Sequence, residues 1–112
     1  MENKRYALAL DLIDDPELIN AYKKAHRKVW PAVIDSIKNS GIINMEIYLT
    51  GNRLFMLMEV DALFSFDKKS KMDAKNPKVQ EWETLMSKYQ KIVPSAEKGE
   101  KWTLMEKIFQ LE

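Results

Sequence analysis

The amino-acid sequence predicts an α+β fold, one antiparallel four-stranded sheet with helices on one face, and three observations carry that prediction. Four segments, apolar runs bounded by turn residues or alternating in polarity, read as strands. Two others repeat apolar residues at steps of three and four, as amphipathic helices do, and a glycine-bearing tripeptide joins the two middle strands.

Tyr6 to Ile13, YALALDLI, sets Tyr6, Leu8, Leu10 and Leu12 on one side of an extended segment and Ala7, Ala9, Asp11 and Ile13 on the other, which makes it the first strand. Asp14-Asp15-Pro16-Glu17 follows, combining a capping carboxylate with proline at a first helical position. The helix that starts there turns Leu18, Tyr22, Ala25, His26, Val29 and Val33 to the core and Lys23, Lys24, Arg27 and Lys28 to water. Pro31 kinks or divides it, and Asn39-Ser40-Gly41 closes it. Ile42 to Leu49 reads as the second strand, with Ile42, Asn44, Glu46 and Tyr48 on one face and Ile43, Met45 and Ile47 on the other. Thr50-Gly51-Asn52 is a hairpin signal, and Arg53 to Val60 supplies the antiparallel partner. From Asp61 to Asp73 the chain reads as helical, and Asn76-Pro77 interrupts it. Val79, Trp82, Leu85, Met86, Tyr89 and Val93 then form a second helical stripe, ended by Pro94-Ser95. A polar loop, Ala96 to Lys101, leads to a closing strand from Trp102 to Leu111. The order strand, helix, strand, strand, helix, strand is that of a ferredoxin-like βαββαβ fold, without internal repeat.

A chain of 112 residues suffices for one domain, 1–112, that buries its own core without disulfide or metal staples. There is no cysteine and only one histidine, which excludes a disulfide framework, a thiolate zinc site, a cysteine nucleophile and an imidazole-rich metal site within one chain. Lys and Arg number 18 against 17 Asp and Glu, so the basic excess expected of a nucleic-acid binder is missing. No stretch has the roughly 20 apolar residues that cross a bilayer, and Met1-Glu2-Asn3-Lys4-Arg5 leads into no signal-like apolar block; a cytoplasmic protein is expected. One face of such a sheet, either the Tyr6-Leu8-Leu10 set or its opposite numbers, meets water unless covered. A second copy is the simplest cover, so a homodimer with facing sheets is predicted, a dimeric α+β barrel.

Few side chains suit chemistry. Tyr22 and His26 stand four apart, hence on one face of a helix. Histidine is the commonest general acid or base, whereas tyrosine keeps its proton to about pH 10 and serves as donor or orienter. The same pair also reads as a core aromatic beside a satisfied histidine. Trp30-Pro31 either lines a pocket or fixes the bend, and Trp82 either stacks on a sugar's apolar face or fills the core. Glu83 reads as a solvated helix residue, and Glu46 points to solvent or to a dimer interior. The methionines, Met45, Met56, Met58, Met72, Met86 and Met105 among them, read as adaptable core filler. No phosphate loop, dinucleotide fingerprint or Ser-His-Asp spacing is present, which leaves proton transfer.

Ala21 to Val33 (AYKKAHRKVWPAV), Asn44 to Leu49 (NMEIYL), Arg53 to Val60 (RLFMLMEV) and Val79 to Met86 (VQEWETLM) resemble the L-rhamnose mutarotase family. The likeness runs essentially end to end; Tyr-x-x-x-His-x-x-x-Trp-Pro is its most specific part, and Glu106 to Leu111 is similar to the family's final strand. It implies a dimeric protein that interconverts the anomers of a 6-deoxy sugar with no cofactor and no metal. It further implies His26 as general acid, Tyr22 as a substrate-binding residue and Trp82 as a pocket wall, with Trp30 beside them. Met45 stands where the rhamnose pattern has Tyr, and Glu83 where it has a second Trp. Both are sugar-contacting positions in the family, so the sugar's identity turns on them: L-rhamnose is the expected substrate and L-fucose the alternative. Two other readings of this fold stand beside the mutarotase: a cofactorless monooxygenase acting on an aromatic substrate, and a non-catalytic module that binds a small ligand.

Overall fold

The computed structural model describes residues 3–111. Its frame is an antiparallel sheet in which β2 (Ile42–Thr50), β3 (Arg53–Val60), β1 (Lys4–Leu12) and β4 (Gln90–Lys91) lie side by side in that order, with β5 (Thr103–Leu104) also paired to β1. Strand β1 (Lys4–Leu12) lies against β3 (Arg53–Val60) from Lys4↔Val60 to Asp11↔Arg53, and β3 lies against β2 (Ile42–Thr50). The β2–β3 turn is Gly51-Asn52, and Gly51 has φ +57° while Asn52 does not enter positive φ, the pattern of a type II′ hairpin. Asn52 also ties that turn to the end of β1: its carbonyl accepts from Leu12 N–H at 2.6 Å, and its side-chain amide donates to the Leu12 carbonyl at 3.0 Å.

Helices α1 (Pro16–Ala25) and α2 (Pro31–Asn39) follow β1, so Pro31 divides the first helical region. Helices α3 (Phe66–Ala74) and α4 (Pro77–Ser87) follow β3, with Ser65 capping α3 and Asn76 capping α4. Leu8, Leu10 and Leu12 of β1, with Leu54, Met56, Met58 and Val60 of β3, are buried on the helix side. None of these helices is long and apolar enough to cross a membrane.

Four elements differ from the sequence-based expectation. Asp61 does not begin a helix. Its carboxylate instead caps the following turn, accepting from Leu63 N–H at 2.9 Å, and crowds Gly41, where an added Cβ would stand 2.7 Å from Asp61 Oδ1. The register shifts between Ile42 and Asn44, a bulge that leaves Ile43 exposed and returns Ile42 to the helix side opposite Val60. Glu46 therefore shares the open face with Asn44 and Tyr48 but not with Ile42, and accepts a hydrogen bond from the Tyr48 hydroxyl at 2.8 Å. Helix α4 stops at Ser87, short of Val93, because the next residues satisfy the end of β1: Tyr89 O accepts from Ile13 N–H, and β4 (Gln90–Lys91) pairs with Asp11 and Leu12. The closing strand is only β5 (Thr103–Leu104), paired with Ala9 and Leu8. Past Met105, whose N–H reaches Ala7 O, the same register would set Lys107 opposite Arg5, two like charges face to face. The chain leaves the sheet there, so Met105 is exposed and is not core filler.

On the open face a buried carboxylate holds one end of the sheet. Arg53 donates to Asp11 from Nε at 2.7 Å and from Nη2 at 3.1 Å. That hydrogen bond, against the cost of burial and with the charges of Arg53 and Lys91 added, holds the Asp11 carboxyl below the usual carboxylate range. A carboxyl depressed on folding contributes stability that is full above its unfolded-state pKa and lost as pH falls through the folded one. Asp11→Asn is expected to lower stability at pH 7 and to flatten its fall below about pH 4. Urea midpoints across that range check this, and parallel curves for the two proteins would contradict it.

Candidate active site

The break between α1 and α2 builds the site. Asp15 opens α1 by accepting from Glu17 N–H at 2.9 Å and Leu18 N–H at 3.3 Å, and Pro16 takes the first helical position, where no donor is needed. The helix ends at Ala25, and His26 caps it through its backbone N–H. Pro31 holds Trp30 extended, at φ −57° and ψ 137°, so the segment between the two helices turns back over α4.

An aromatic cluster results. The Tyr22 and His26 rings lie 4.4 Å apart, centre to centre, and are tilted by 34°. Trp82, from α4, meets His26 edge-on at 5.4 Å and Trp30 edge-on at 5.2 Å. Tyr89 adds an edge contact to Tyr22 at 6.2 Å. Tyr22 and Trp82 are buried; His26 and Trp30 are half-buried.

His26 Nδ1 lies 2.9 Å from the Tyr22 carbonyl oxygen. A carbonyl only accepts, so Nδ1 carries the hydrogen and Nε2 is the nitrogen left to exchange a proton. The Tyr22 hydroxyl receives a hydrogen bond from Gln90 Nε2 at 3.4 Å. Burial pushes its phenol up; the Gln90 contact opposes this and the negative charge of Glu83 adds to it. Tyr22 is thereby held as a donor.

Glu83, next to Trp82, sits at the margin of the cluster, where Lys101 Nζ meets its Oε2 at 3.0 Å and its carbonyl at 3.5 Å. Met45 is placed elsewhere: it is half-buried against the neighbouring apolar cluster of Leu8, Ile42, Met56, Met58 and Val60. The structure thus gathers Tyr22, His26, Trp30 and Trp82, puts Glu83 beside them, and does not bring Met45 into contact with the aromatic set. Two polar neighbours were not singled out from the sequence. Gln90 falls on an expected helix, and its Oε1 is buried with no partner among the described residues. Lys101 falls in an expected loop. Only the position of Lys101 before Trp102, which packs on both core clusters, could have signalled it.

Among the described residues no three His, Cys, Asp or Glu side chains gather as metal ligands. Two shallow surface depressions, along α3 beside Lys68 and Lys71 and along α4 beside Gln80 and Thr84, contain none of the cluster. What the cluster offers is one nitrogen able to give and take a proton, one hydroxyl donor and two indole rings. That equipment suits proton transfer on a small ligand with an apolar face.

A family model described as L-rhamnose mutarotase matches residues 5–111. An L-fucose mutarotase of Xanthomonas campestris pv. campestris is 42% identical, the match covering 99% of this chain and 90% of that protein. Among solved structures, an L-rhamnose mutarotase from Formosa agariphila superposes with a TM-score of 0.71 at 22% identity, covering 97% of this chain and 99% of that one. A dimeric ferredoxin-like protein from an uncultured marine organism superposes with a TM-score of 0.56 at 16% identity, covering 96% and 91%. At such identities the two structures speak to the fold, which is ferredoxin-like as predicted.

Proposed function

We propose that this chain, which belongs to the L-rhamnose mutarotase family, interconverts the α and β anomers of a 6-deoxy-L-hexose as a single unit over residues 1–112, with His26 as its acid–base residue. The observation that carries the proposal is the His26 ring, fixed through Nδ1 to the Tyr22 carbonyl and bounded by Tyr22 and Trp82.

Anomer exchange is a proton relay. The protonated Nε2 of His26 gives its proton to the ring oxygen as the C1–O5 bond breaks, and the anomeric hydroxyl loses its proton as C1 becomes a carbonyl. Rotation about C1–C2 and reversal of both transfers close the ring on the other carbonyl face. Tyr22, kept protonated by burial, does not suit the base and serves as a donor to a sugar oxygen. The Glu83 carboxylate and solvent remain as acceptors for the hydroxyl proton. Trp82 and Trp30 supply apolar walls for the sugar's C–H faces, which bind without clamping every hydroxyl and leave the opened chain free to rotate.

The relative at 42% identity is an L-fucose mutarotase, which supports L-fucose as the preferred sugar over L-rhamnose. Polarimetry on freshly dissolved single anomers tests this. The protein is expected to speed L-fucose more than L-rhamnose; the reverse order would make L-rhamnose the substrate, and no effect on either would remove the mutarotase reading.

The partner in this reading is a second copy. Ala7, Ala9, Phe55 and Leu57 form an apolar patch on the open face of the sheet, and Tyr48 beside them is exposed. The segment past Met105 carries Ile108, Phe109 and Leu111 exposed to 88%, 74% and 78%. Apolar surface of this kind supports a homodimer with facing sheets. Sedimentation equilibrium is expected to give twice the chain mass, and Phe109→Glu to shift it toward one chain; a wild-type mass of one chain would contradict the dimer.

A further inference from the structure

We infer that Lys101 is a specificity-determining residue of this site: it holds the Glu83 carboxylate at the margin of the aromatic cluster, so that an ion pair meets the sugar's hydroxyls there. The inference rests on the mutarotase reading for its ligand class and adds a residue from a loop distant in sequence from the cluster.

Glu83 follows Trp82 on α4, and Trp82 contacts both His26 and Trp30, so residue 83 stands one position along the helix from the ring that joins the cluster. Lys101 approaches across 18 residues of sequence and takes Glu83 at two points, Oε2 at 3.0 Å and the main-chain oxygen at 3.5 Å. The main-chain contact keeps the ammonium over this turn of α4 and so beside the carboxylate; Lys101 is only 29% exposed along its side chain, against 47% for Glu83. Trp102, the next residue, packs into both core clusters and anchors the loop from which Lys101 reaches out. The Glu83 charge is also felt at the Tyr22 phenol, which places the carboxylate within electrostatic reach of the cluster's interior.

Lys101 meets Oε2, and among the described residues none donates to Oε1, a charged acceptor beside an ammonium donor. This arrangement suits a sugar hydroxyl that donates to the carboxylate or accepts from the ammonium. L-Rhamnose and L-fucose differ only in configuration at C2 and C4, so a directional polar pair can separate them where an indole face cannot. Sites that hydrogen-bond a hydroxyl discriminate by factors well above those of apolar pockets, but Glu83 is part-exposed and water competes, so the expected factor is moderate.

The test is the ratio of kcat/KM for L-fucose to that for L-rhamnose in wild type, Lys101→Met, Lys101→Arg, Glu83→Gln and the Lys101→Met/Glu83→Gln double variant. A ratio cancels any loss common to both sugars, including one from Glu83 acting on the hydroxyl proton. Lys101→Met and Glu83→Gln are each expected to change the ratio about 10-fold, Lys101→Arg to restore most of it, and the double variant to change it no more than either single one. Equal losses on both sugars, or additive changes in the double variant, would overturn the assignment. Sugar binding, read from Trp fluorescence, separates the two proposals. If wild type exchanges no anomers yet its binding preference shifts in Lys101→Met, Lys101 keeps its role and the mutarotase reading fails. If wild type binds neither sugar, both fall.

Discussion

His26→Gln is expected to slow anomer exchange by about 10²- to 10⁴-fold, the range that a single positioned proton donor contributes. The fold should survive the change, because His26 closes α1 through its backbone N–H, to Tyr22 O at 3.3 Å and Lys23 O at 3.2 Å, and those bonds do not involve the imidazole. Loss should fall on kcat more than on KM, since in the proposed mechanism the proton reaches the ring oxygen only as the ring opens, whereas Trp30 and Trp82, the proposed walls, stay in place. Initial polarimetric rates on a single anomer, with circular dichroism as a control for folding, check both parts. A folded His26→Gln protein as fast as wild type would remove His26 from the chemistry.

Trp82→Ala has the largest expected effect on stability. Trp82 is buried in the cluster with Leu10, Leu12, Leu54 and Met86, and two further aromatic rings rest on it. Emptying such a position costs about 3–5 kcal/mol, a large part of the roughly 5–15 kcal/mol that holds a domain folded. Activity should go with it, because the wall beside His26 disappears. Trp82→Phe separates the two losses: most of the buried area remains, so the urea midpoint should fall far less, while the narrower ring stacks less well on a sugar and KM rises. An alanine variant with an unchanged urea midpoint would show that the indole is not the keystone between α4 and the α1–α2 break.

Both predictions concern residues that could be picked from the sequence, and the reason is local geometry. Tyr22 and His26 share a face because they are four apart in one helix, and Pro31 had to interrupt that helix whatever it packed against. The hairpin at Gly51 and the strands on either side were legible for the same reason, since turn chemistry and alternation act over a few residues.

Features set by distant partners were not legible. The bulge at Ile43 belongs to the pairing of β2 with β3 and reversed the face expected for Ile42. The stripe through Val93 had helical spacing, yet Tyr89 and Gln90 were captured by the end of β1. The closing strand had fair alternation, but its register meets Arg5. In the site, Gln90 reaches Tyr22 across 68 residues and Lys101 reaches Glu83 across 18, contacts for which the spacing along the chain carries no signal.

Saturation-transfer NMR on equilibrated L-fucose and L-rhamnose reads anomer exchange by this chain at equilibrium. One anomeric proton is saturated and the loss of signal at the other is followed as protein is added. Transfer that grows in proportion to protein concentration, for L-fucose before L-rhamnose, is the predicted result. Transfer that stays at the spontaneous rate for both sugars, with the protein folded, would contradict it.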